Sequence, residues 1–479
     1  MENKEPVTFR QLDSMQKPVC PSAKELFEES SRDFACKWVV LDDDPTGIQT
    51  VNGISVYTDW SESSVEKGFK EQKDLFFILT NSRGLTEKET VRVHAEIAER
   101  VLRVSQRTGK KFQIISRGDS TLRGHYPKET EVLRQTIESH SDLMFDGEVI
   151  CPFFPQGGRF TVDNIHYVRV NEKMIPAGET EFANDKTFGY KNSHLGKWVE
   201  EKTRGAYKAE DQIYISLDEL RDGRVGEIAD KLCAAAGFVK IIVNAMSYED
   251  IYVFAAALIR AEKKGKNFLF RTAAVIPEVL GKIQRRDLLE GKEMLDPDNK
   301  NGGLIIVGSH VKKTTEQLNE LLTLDNVRAV PFYSSLVLDD EKFSDEQSRV
   351  QGEIESQISQ GTNVVVYTER KLLVPNSEDP EDALRLSVRI SDAVTGFVKN
   401  LKVRPSFIVA KGGITSSDIG VKGLGVKRAD VAGQILPGIP VWKIGTDSKF
   451  PGLPYIIFPG NVGEADTLKR VCLKLTTNI

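Results

Sequence analysis

The chain has 479 residues and a mass of 53.5 kDa, a length that favours two domains of about 200–250 residues each. Its composition, with 40% hydrophobic and 28% charged residues, excludes a disordered, collagen-like or coiled-coil protein. A mean hydropathy of -0.31 without a long apolar run excludes a transmembrane helix, and a net charge of -5 gives no indication of a nucleic-acid or membrane-surface binder.

The cysteines are Cys20, Cys36, Cys151, Cys233 and Cys472, an odd and scattered set without a Cys-x-x-Cys motif. Such a set argues against a disulfide framework and a zinc site, and favours a reducing compartment. The first residues, MENKEPVTFRQL, lack the apolar core of a secretory signal. We therefore expect a cytoplasmic protein.

Residues 1–35 are polar and without clear alternation, so we predict an N-terminal extension there and regular structure from Cys36 onward. One theme then recurs, a short apolar run followed by polar turn residues and a helical pattern, as in WVVLDDDPTG, LFFILTNSRG and FQIISRGDST. Thr86 and Glu89, after the second run, are spaced as a helix capping box. Short strands that alternate with helices predict a parallel sheet, in which ligands bind beyond the carboxyl ends of the strands.

A polar segment at residues 290–303, which contains Pro297, is predicted to link two domains. The same theme restarts after it, with LIIVGSH, NVVVYTERK, SFIVAKGGITSSDI and YIIFPGNVG. The predicted fold class is therefore α/β, with two domains that are each built around a largely parallel sheet with flanking helices. We place the first domain at residues 36–289 and the second at residues 304–479.

Three consecutive acids, Asp42, Asp43 and Asp44, follow the first apolar run and precede Pro45 and Gly47. Adjacent carboxylates repel one another unless a cation or a proton relieves them. A solvated Asp-rich turn is one interpretation. The position directly after a buried strand favours another, in which an acid accepts a hydroxyl proton or binds Mg²⁺.

The loop after the third run is dense in charged and hydroxyl side chains, which include Arg117, Asp119, Ser120 and Arg123. Arg83 follows the second run in a similar setting, and Arg159 and His166 follow the turn-rich segment CPFFPQGG. Arginine binds carboxylates through paired hydrogen bonds, so these side chains predict a pocket for a small hydroxy acid. Surface salt bridges are the alternative for the loop, and a structural role is the alternative for His166.

Three glycine-bearing junctions follow apolar runs of the second half, at Gly308-Ser309-His310, Gly412-Gly413-Ile414-Thr415 and Gly460-Asn461. Glycine lets a backbone approach a phosphate closely, so three such turns in one domain favour a nucleotide site. The chain contains neither G-x-x-x-x-G-K-[ST] nor G-x-G-x-x-G. Their absence counts against a P-loop NTPase and a dinucleotide-binding protein.

Taken together, the segments resemble the four-carbon acid sugar kinase family. LDDDPTG resembles its DDxTG signature, SRGDSTLRGH its K-x-D-S-T-L-R-G segment, and PFFPQGGRFTVDNIHYV a third family segment. In the second half, IIVGSH, IVAKGGITSSDI, ILPGIPVWKI and FPGNVGEADTL follow in the family's order. The resemblance extends from about Trp38 to the end of the chain.

The resemblance implies that the first domain binds a sugar acid and the second binds ATP. The implied activity is ATP-dependent phosphorylation of a four-carbon acid sugar such as threonate, erythronate or an oxo-tetronate. It assigns the paired acids to Asp43 and Asp44, the substrate pocket to Arg83, Arg117–Ser120 and Arg123, and the nucleotide turns to Ser309, Gly412, Gly413, Ile414, Thr415 and Gly460. Ile414 is a departure, because many relatives have Asp at this position.

We predict that Asp44 accepts the proton of the substrate hydroxyl, because it lies beside the rigid turn at Pro45, while Mg²⁺ bridges the ATP oxygens. Asp43 and Asp119 are the other candidates for this base. Two further functions stay open, a dehydrogenase of a small hydroxy acid and a non-catalytic sugar-acid sensor. The expected partners are a sugar acid and ATP, without nucleic acid or membrane, and a homodimer is the commonest assembly.

Overall fold

The computed structural model describes residues 7–309, 311–370, 380–460 and 462–476, with the backbone alone over residues 380–384. The strands are numbered in chain order as β1 Lys37–Asp42, β2 Ile54–Tyr57, β3 Leu75–Leu79, β4 Phe112–Arg117, β5 Gly147–Cys151, β6 Arg159–Val162, β7 Ile165–Val170, β8 Lys173–Pro176, β9 Ile213–Ile215, β10 Val239–Val243, β11 Phe268–Thr272, β12 Leu304–Val307, β13 Val327–Phe332, β14 Asn363–Thr368, β15 Ile408–Lys411, β16 Arg428–Leu436, β17 Ile439–Ile444 and β18 Pro454–Phe458.

The α-helices, in the same order, are α1 Phe9–Ser14, α2 Ala23–Ser30, α3 Glu62–Lys70, α4 Glu87–Thr108, α5 Lys128–His140, α6 Leu195–Lys202, α7 Leu217–Arg221, α8 Val225–Ala234, α9 Tyr248–Lys263, α10 Val275–Leu280, α11 Gly291–Met294, α12 Lys312–Leu321, α13 Asp340–Ser359, α14 Pro380–Lys399, α15 Gly413–Asp418 and α16 Thr467–Thr476. Within the described ranges, none of them combines the length and the apolar character that a membrane span needs. The chain divides into two compact units. The first unit comprises the described residues up to Thr50 and Asp59–Ile283, and the second comprises Val51–Thr58 and the described residues from Gln284 onward.

The first unit is built on a parallel sheet with the strand order β3-β1-β4-β11-β5-β10-β9. Every residue of β1, β3 and β4 is buried, as is typical of parallel strands that are covered on both faces. Asp42 pairs with Leu79 and with Arg117, and Arg117 pairs with Thr272, so four adjacent strands end at one level. The predicted parallel sheet is confirmed, and it brings the ends of the three polar segments side by side.

The capping box predicted for α4 is confirmed. The Thr86 hydroxyl accepts a hydrogen bond from the Glu89 N–H at 3.3 Å, and the Glu89 carboxylate accepts one from the Thr86 N–H at 2.9 Å. The prediction that regular structure begins at Cys36 was wrong, because α1 and α2 precede it. Phe27 of α2 packs against Tyr252 of α9, with ring centroids 5.7 Å apart. Such short helices leave too few turns for a periodic apolar pattern to be recognised.

A smaller antiparallel sheet, with the order β6-β7-β8, belongs to the first unit. Reciprocal backbone hydrogen bonds of 3.0 Å join Thr161 of β6 to Ala245, just after β10. These bonds anchor the hairpin that carries Arg159 and His166 near the carboxyl end of the parallel sheet.

The second unit is built on a mixed sheet with the order β13-β14-β12-β15-β18-β17-β16-β2. Strands β13, β14, β12, β15 and β18 pair in parallel along this order, whereas the pairs β18–β17, β17–β16 and β16–β2 are antiparallel. A buried apolar core includes Val307, Val409 and Ile456 from neighbouring strands. Val307 pairs with Lys411, and Lys411 pairs with Phe458. The carboxyl ends of β12, β15 and β18 therefore lie side by side.

Candidate functional site

The three consecutive acids occupy different environments at the carboxyl end of β1. Asp42 is buried, and a Cβ on Gly47 would lie 2.0 Å from its Oδ1, so only glycine fits beside this carboxylate. The Asp43 side chain is 4% exposed, whereas that of Asp44 is 21% exposed. Asp44 Oδ1 accepts hydrogen bonds from the Thr46 N–H at 2.8 Å and from its hydroxyl at 2.5 Å. Asp44 is thus the acid of this turn most open to solvent.

Two arginines from neighbouring strand ends pair with these acids. Arg83, in a 3₁₀ turn after β3, donates from Nε to Asp43 Oδ2 at 3.0 Å and from Nη2 to Asp43 Oδ1 at 2.6 Å. Arg117, the last residue of β4, donates from Nη1 to Asp42 Oδ1 at 3.3 Å. Cations at this distance stabilise the ionised form of the carboxylates. In the described part of the chain, no three His, Cys, Asp or Glu side chains are arranged to hold a metal ion.

The pKa values of the acids diverge because burial and pairing act in opposite directions. Burial raises the pKa of Asp42 to about 7, against the influence of Arg117. Burial also raises the pKa of Asp43, although Arg83 opposes the shift. Burial alone would raise the pKa of Asp44, but Arg83 and the hydrogen bonds from Thr46 lower it overall. At neutral pH Asp44 is therefore an ionised carboxylate that is able to accept a proton.

The loop after β4 folds around Asp119. Arg123 donates from Nε to Asp119 Oδ2 at 2.7 Å, and the Thr121 hydroxyl donates to the same oxygen. Burial alone would raise the pKa of Asp119, but Arg83 and Arg123 lower it well below its usual range. Asp119 is therefore ionised and held by its own loop, with 11% of its side chain exposed.

Arg271 lies beneath this loop and was not among the residues predicted from the sequence. It belongs to β11, is 2% exposed, and donates from Nη2 to the Arg123 carbonyl at 2.9 Å and to the Asp119 carbonyl at 3.3 Å. A Cβ on Gly118 would lie 2.5 Å from the Arg271 guanidinium carbon, so glycine is required there. The available signal was a charged residue inside the otherwise apolar strand FLFRT.

His166 contacts the protein on both sides of its ring. Its Nε2 lies 2.8 Å from the Ser120 carbonyl oxygen, and its Nδ1 lies 3.0 Å from the Thr161 hydroxyl. Burial lowers the pKa of His166 to about 4, so the ring is neutral at pH 7. These contacts fit the structural alternative and support the backbone at Ser120, a predicted substrate residue.

Arg159 begins β6 and lies close to the same loop. Its guanidinium carbon is 5.6 Å from the centre of the Phe182 ring, and the guanidinium carbon of Arg123 is 5.1 Å from that ring. Asp119 acts electrostatically on Arg83, Arg123 and Arg159 alike. The fold thus gathers the predicted substrate residues of the first unit in one region, although their roles stay predictions.

In the second unit the predicted nucleotide turns lie next to one another. A Cβ on Gly308 would lie 2.7 Å from the Thr415 hydroxyl, and one on Gly412 would lie 3.5 Å from the Cβ of Ser309. At Gly413 and Gly460 an added Cβ would meet no atom of the described residues within 4 Å, so both backbones border space that these residues leave open. Ile414 is 76% exposed beside them. Asn461 and His310 lie outside the described residues.

Lys411, the last residue of β15, was also not predicted. Its side chain is buried, and Nζ donates to the Pro459 carbonyl at 2.6 Å and to the Gly460 carbonyl at 3.0 Å. Burial lowers the pKa of Lys411 to about 7, and the charge of Lys313 adds to the shift. Lys411 therefore holds the turn at Gly460 against the end of β15.

Arg370 supports the neighbouring turn in a comparable way. It follows β14 and donates from Nη1 to the Ser309 carbonyl at 2.6 Å and from Nη2 to the Thr368 carbonyl at 2.8 Å. Its charge is thus used to hold backbone carbonyls at the end of the parallel strands. Its signal in the sequence was weak, since a charged residue after a strand is common.

Comparison with known proteins gives a match to each half of the chain. Residues 38–280 match the family model of a sugar-binding N-terminal domain, and residues 304–468 match that of a nucleotide-binding C-terminal domain. A search of curated proteins found no match. The two matched models assign sugar binding to the first half and nucleotide binding to the second.

Two solved structures share the fold. The Haemophilus influenzae protein HI1011, of the family DUF1537, is 17% identical, with a TM-score of 0.60 over 90% of this chain and 98% of its own. A Salmonella typhimurium LT2 protein that was provisionally called a tRNA synthase is 16% identical, with a TM-score of 0.63 over 91% of this chain and 98% of its own. At these identities the likeness concerns the fold alone.

Proposed function

The chain belongs to the four-carbon acid sugar kinase family, and on that premise we propose that it transfers the terminal phosphoryl group of ATP to a hydroxyl of a four-carbon acid sugar. Threonate, erythronate and an oxo-tetronate are the candidate acids. The observation that carries the proposal is the presence of two domains in one chain. The first is a sugar-binding domain whose strand ends carry acids and arginines, and the second is a nucleotide-binding domain whose glycine turns border open space.

Asp44 is the proposed base for the substrate hydroxyl. Its side chain is more exposed than those of Asp42 and Asp43, and its lowered pKa keeps it ionised at neutral pH. Asp43 is held by two hydrogen bonds from Arg83, which favours a positioning role for this pair. Phosphoryl transfer depends chiefly on positioning and charge neutralisation, so one weak carboxylate base suffices.

The second unit has features that fit ATP. Among the residues that the structure describes, none has an atom within 4 Å of an added Cβ at Gly413 or Gly460, which leaves the space that close approach of a phosphate to the backbone requires. Lys411 and Arg370 hold the neighbouring turns through backbone carbonyls, so the turns are pre-formed. When bound, ATP with Mg²⁺ supplies the phosphoryl group and neutralises part of its charge.

The test is a phosphorylation assay of the full chain with ATP, Mg²⁺ and a panel of four-carbon sugar acids. The expected result is ADP release that depends on one of these acids, with a phosphorylated product detected by mass spectrometry. Acid-dependent reduction of NAD without ADP release would instead indicate the dehydrogenase. Binding of an acid without either reaction and without ATP binding would indicate the sensor.

A further inference from the structure

Most arginines predicted to bind the carboxylate of the substrate already pair with a carboxylate of the protein. The pairs are Arg83 with Asp43, Arg117 with Asp42, and Arg123 with Asp119. A guanidinium has a limited set of N–H donors, and those that bind a protein acid are not available to a ligand. Each of these guanidinium groups therefore has part of its charge and some of its donors engaged by a protein acid, and a further cation would favour binding of an anionic substrate.

Arg159 is different, because in the part of the chain that the structure describes its guanidinium has neither a hydrogen bond nor an ion pair. Its Nε is buried and without a partner, although the residue as a whole is partly exposed. Burial lowers the pKa of Arg159; the charge of Asp119 opposes this shift, and that of Arg123 adds to it. Partly buried N–H donors without acceptors are unfavourable, and the oxygens of an anionic ligand would satisfy them.

The local fold holds Arg159 in place. The turn at Pro155–Gly157 reverses the chain, and Arg159 binds Phe154 through its backbone N–H at 2.9 Å and its carbonyl at 3.1 Å. The ring of Phe182 lies 5.6 Å from its guanidinium carbon. Contact with an aromatic ring restrains a guanidinium and lowers the entropy lost when it binds a ligand.

Arg123 links Arg159 to the rest of the predicted pocket, because both arginines lie against the Phe182 ring and Arg123 also binds Asp119. Its guanidinium carbon lies 5.1 Å from the same Phe182 ring, while its Nε is bound to Asp119. A carboxylate near Phe182 would thus meet one unpaired and one paired guanidinium, close to the loop that carries Asp119. Paired hydrogen bonds from arginine to a carboxylate are short and charge-assisted.

We infer that Arg159 binds the carboxylate of the sugar acid and makes the protein select acids over the corresponding neutral polyols. This inference rests on the proposed function and names the residue that determines its substrate class. Arg83 and Arg117 then serve mainly to orient Asp43 and Asp42. Replacement of Arg159 breaks no hydrogen bond of the described protein, so we expect its variants to fold.

The experiment is titration calorimetry of the full chain with erythronate and threonate, and in parallel with erythritol and threitol. The variants are Arg159→Gln and Arg159→Lys, and the control is Arg169→Gln in the adjacent strand β7, where Arg169 pairs with exposed Glu172 at 3.0 Å. We expect Arg159→Gln to weaken acid binding by about 10- to 100-fold and to leave polyol binding unchanged. Arg159→Lys should lose part of that affinity, since it keeps the charge without the paired geometry.

Equal acid affinity in the wild type and in Arg159→Gln would overturn the inference and leave the proposed function intact. Equal weakening of acid and polyol binding would also overturn it, because that pattern indicates a structural effect. Failure of the wild-type protein to bind any acid of the panel would contradict the proposed function and the inference together. Thermal unfolding of each variant verifies that it is folded.

Discussion

Arg83 binds Asp43 through two parallel hydrogen bonds, from Nε to Oδ2 at 3.0 Å and from Nη2 to Oδ1 at 2.6 Å. The pair joins the turn after β3 to the end of β1, and β3 and β1 are neighbours in the sheet. The Asp43 side chain is 4% exposed and that of Arg83 is 22% exposed, so the pair is largely removed from water. Its removal should therefore be costly for the first unit.

Asp43→Asn removes the carboxylate that binds the Arg83 guanidinium through two hydrogen bonds, and leaves Arg83 the longer contact with Asp44 at 3.4 Å. We expect the free energy of unfolding to fall by about 3 kcal/mol, because breaking a largely buried pair leaves the remaining charge less well compensated. Urea unfolding of the full chain measures the change. The double variant Asp43→Asn with Arg83→Met should lose less than the sum of the single variants. Additive losses would show that the two side chains act independently.

A matched control for that pair is Glu172→Gln. Glu172 pairs with Arg169 at 3.0 Å at the surface, where both side chains are exposed. Exposed pairs contribute about 0–1 kcal/mol, so the unfolding midpoint should barely change. A loss as large as that of Asp43→Asn would mean that burial is not the cause.

Asp44→Asn removes the proposed base and keeps its shape. We expect turnover to fall by about 10²–10⁴-fold while the acid and ATP still bind, since general-base catalysis contributes that factor. Steady-state kinetics and calorimetry separate the two effects. Asp142→Asn, at an exposed position of the same unit, is the control and should behave as the wild type. Near-normal turnover of Asp44→Asn would show that Asp44 is not the base and would make Asp119 the next candidate for this role.

Gly413→Val places a side chain in the open space beside the predicted nucleotide turn Gly412-Gly413-Ile414-Thr415. Because an added Cβ there meets no atom within 4 Å in the described part of the chain, folding should be unaffected. We expect ATP affinity to fall by about tenfold or more, or ~1.4 kcal/mol, and acid binding to stay unchanged. Gly352→Val, in exposed helix α13, is the control, since a Cβ there also meets no atom. Unchanged ATP affinity in folded Gly413→Val would contradict the nucleotide assignment.

Lys411 makes the stability of the second unit depend on pH. Burial lowers its pKa from 10.5 to about 7, so between these values the unfolded lysine is protonated and the folded one is largely neutral. Unfolding then takes up a proton, and the stability contributed by this group rises with pH and is lost as pH falls toward 7. From about pH 7.5 to about pH 9.5 the free energy of unfolding should rise by about 2 kcal/mol more in the wild type than in Lys411→Met.

Urea unfolding of the full chain at the two pH values measures that difference. Lys402→Met, which replaces an exposed lysine of the same unit, should keep the pH dependence of the wild type. Parallel pH profiles for Lys411→Met and the wild type would mean that Lys411 remains protonated in the folded protein, despite its burial.

Local signals were sufficient for much of the fold. Apolar runs predicted β1, β3 and β4, and the spacing of Thr86 and Glu89 predicted the start of α4, because these features depend on neighbours in the chain. Strand β2 is an element whose place in the sheet the local signals could not predict. It pairs with β16 in the second unit, about 370 residues further along the chain, and no local pattern specifies so distant an edge.

The residues of the candidate site likewise fall into those that local sequence patterns predicted and those that they did not. Asp42, Asp43, Asp44, Arg83, Arg117 and Asp119 were recognisable because polar side chains stand at the ends of apolar runs. Arg271 and Lys411 were missed because each acts on backbone carbonyls that only folding brings to it. The sequence shows a charged residue in or directly after each apolar run, but it does not show the backbone carbonyls that the side chain contacts.

The sequence by itself determined the α/β class, the strand ends that carry polar side chains and the resemblance to a kinase family, since these depend on residue type and short spacing. Only the tertiary structure decided which arginines are already paired with acids and that Arg159 is not. It also set the pKa of Asp42 at about 7 and lowered that of Asp44. Pairing and burial depend on groups from several strands meeting in space, and the order of residues along one strand does not contain that information.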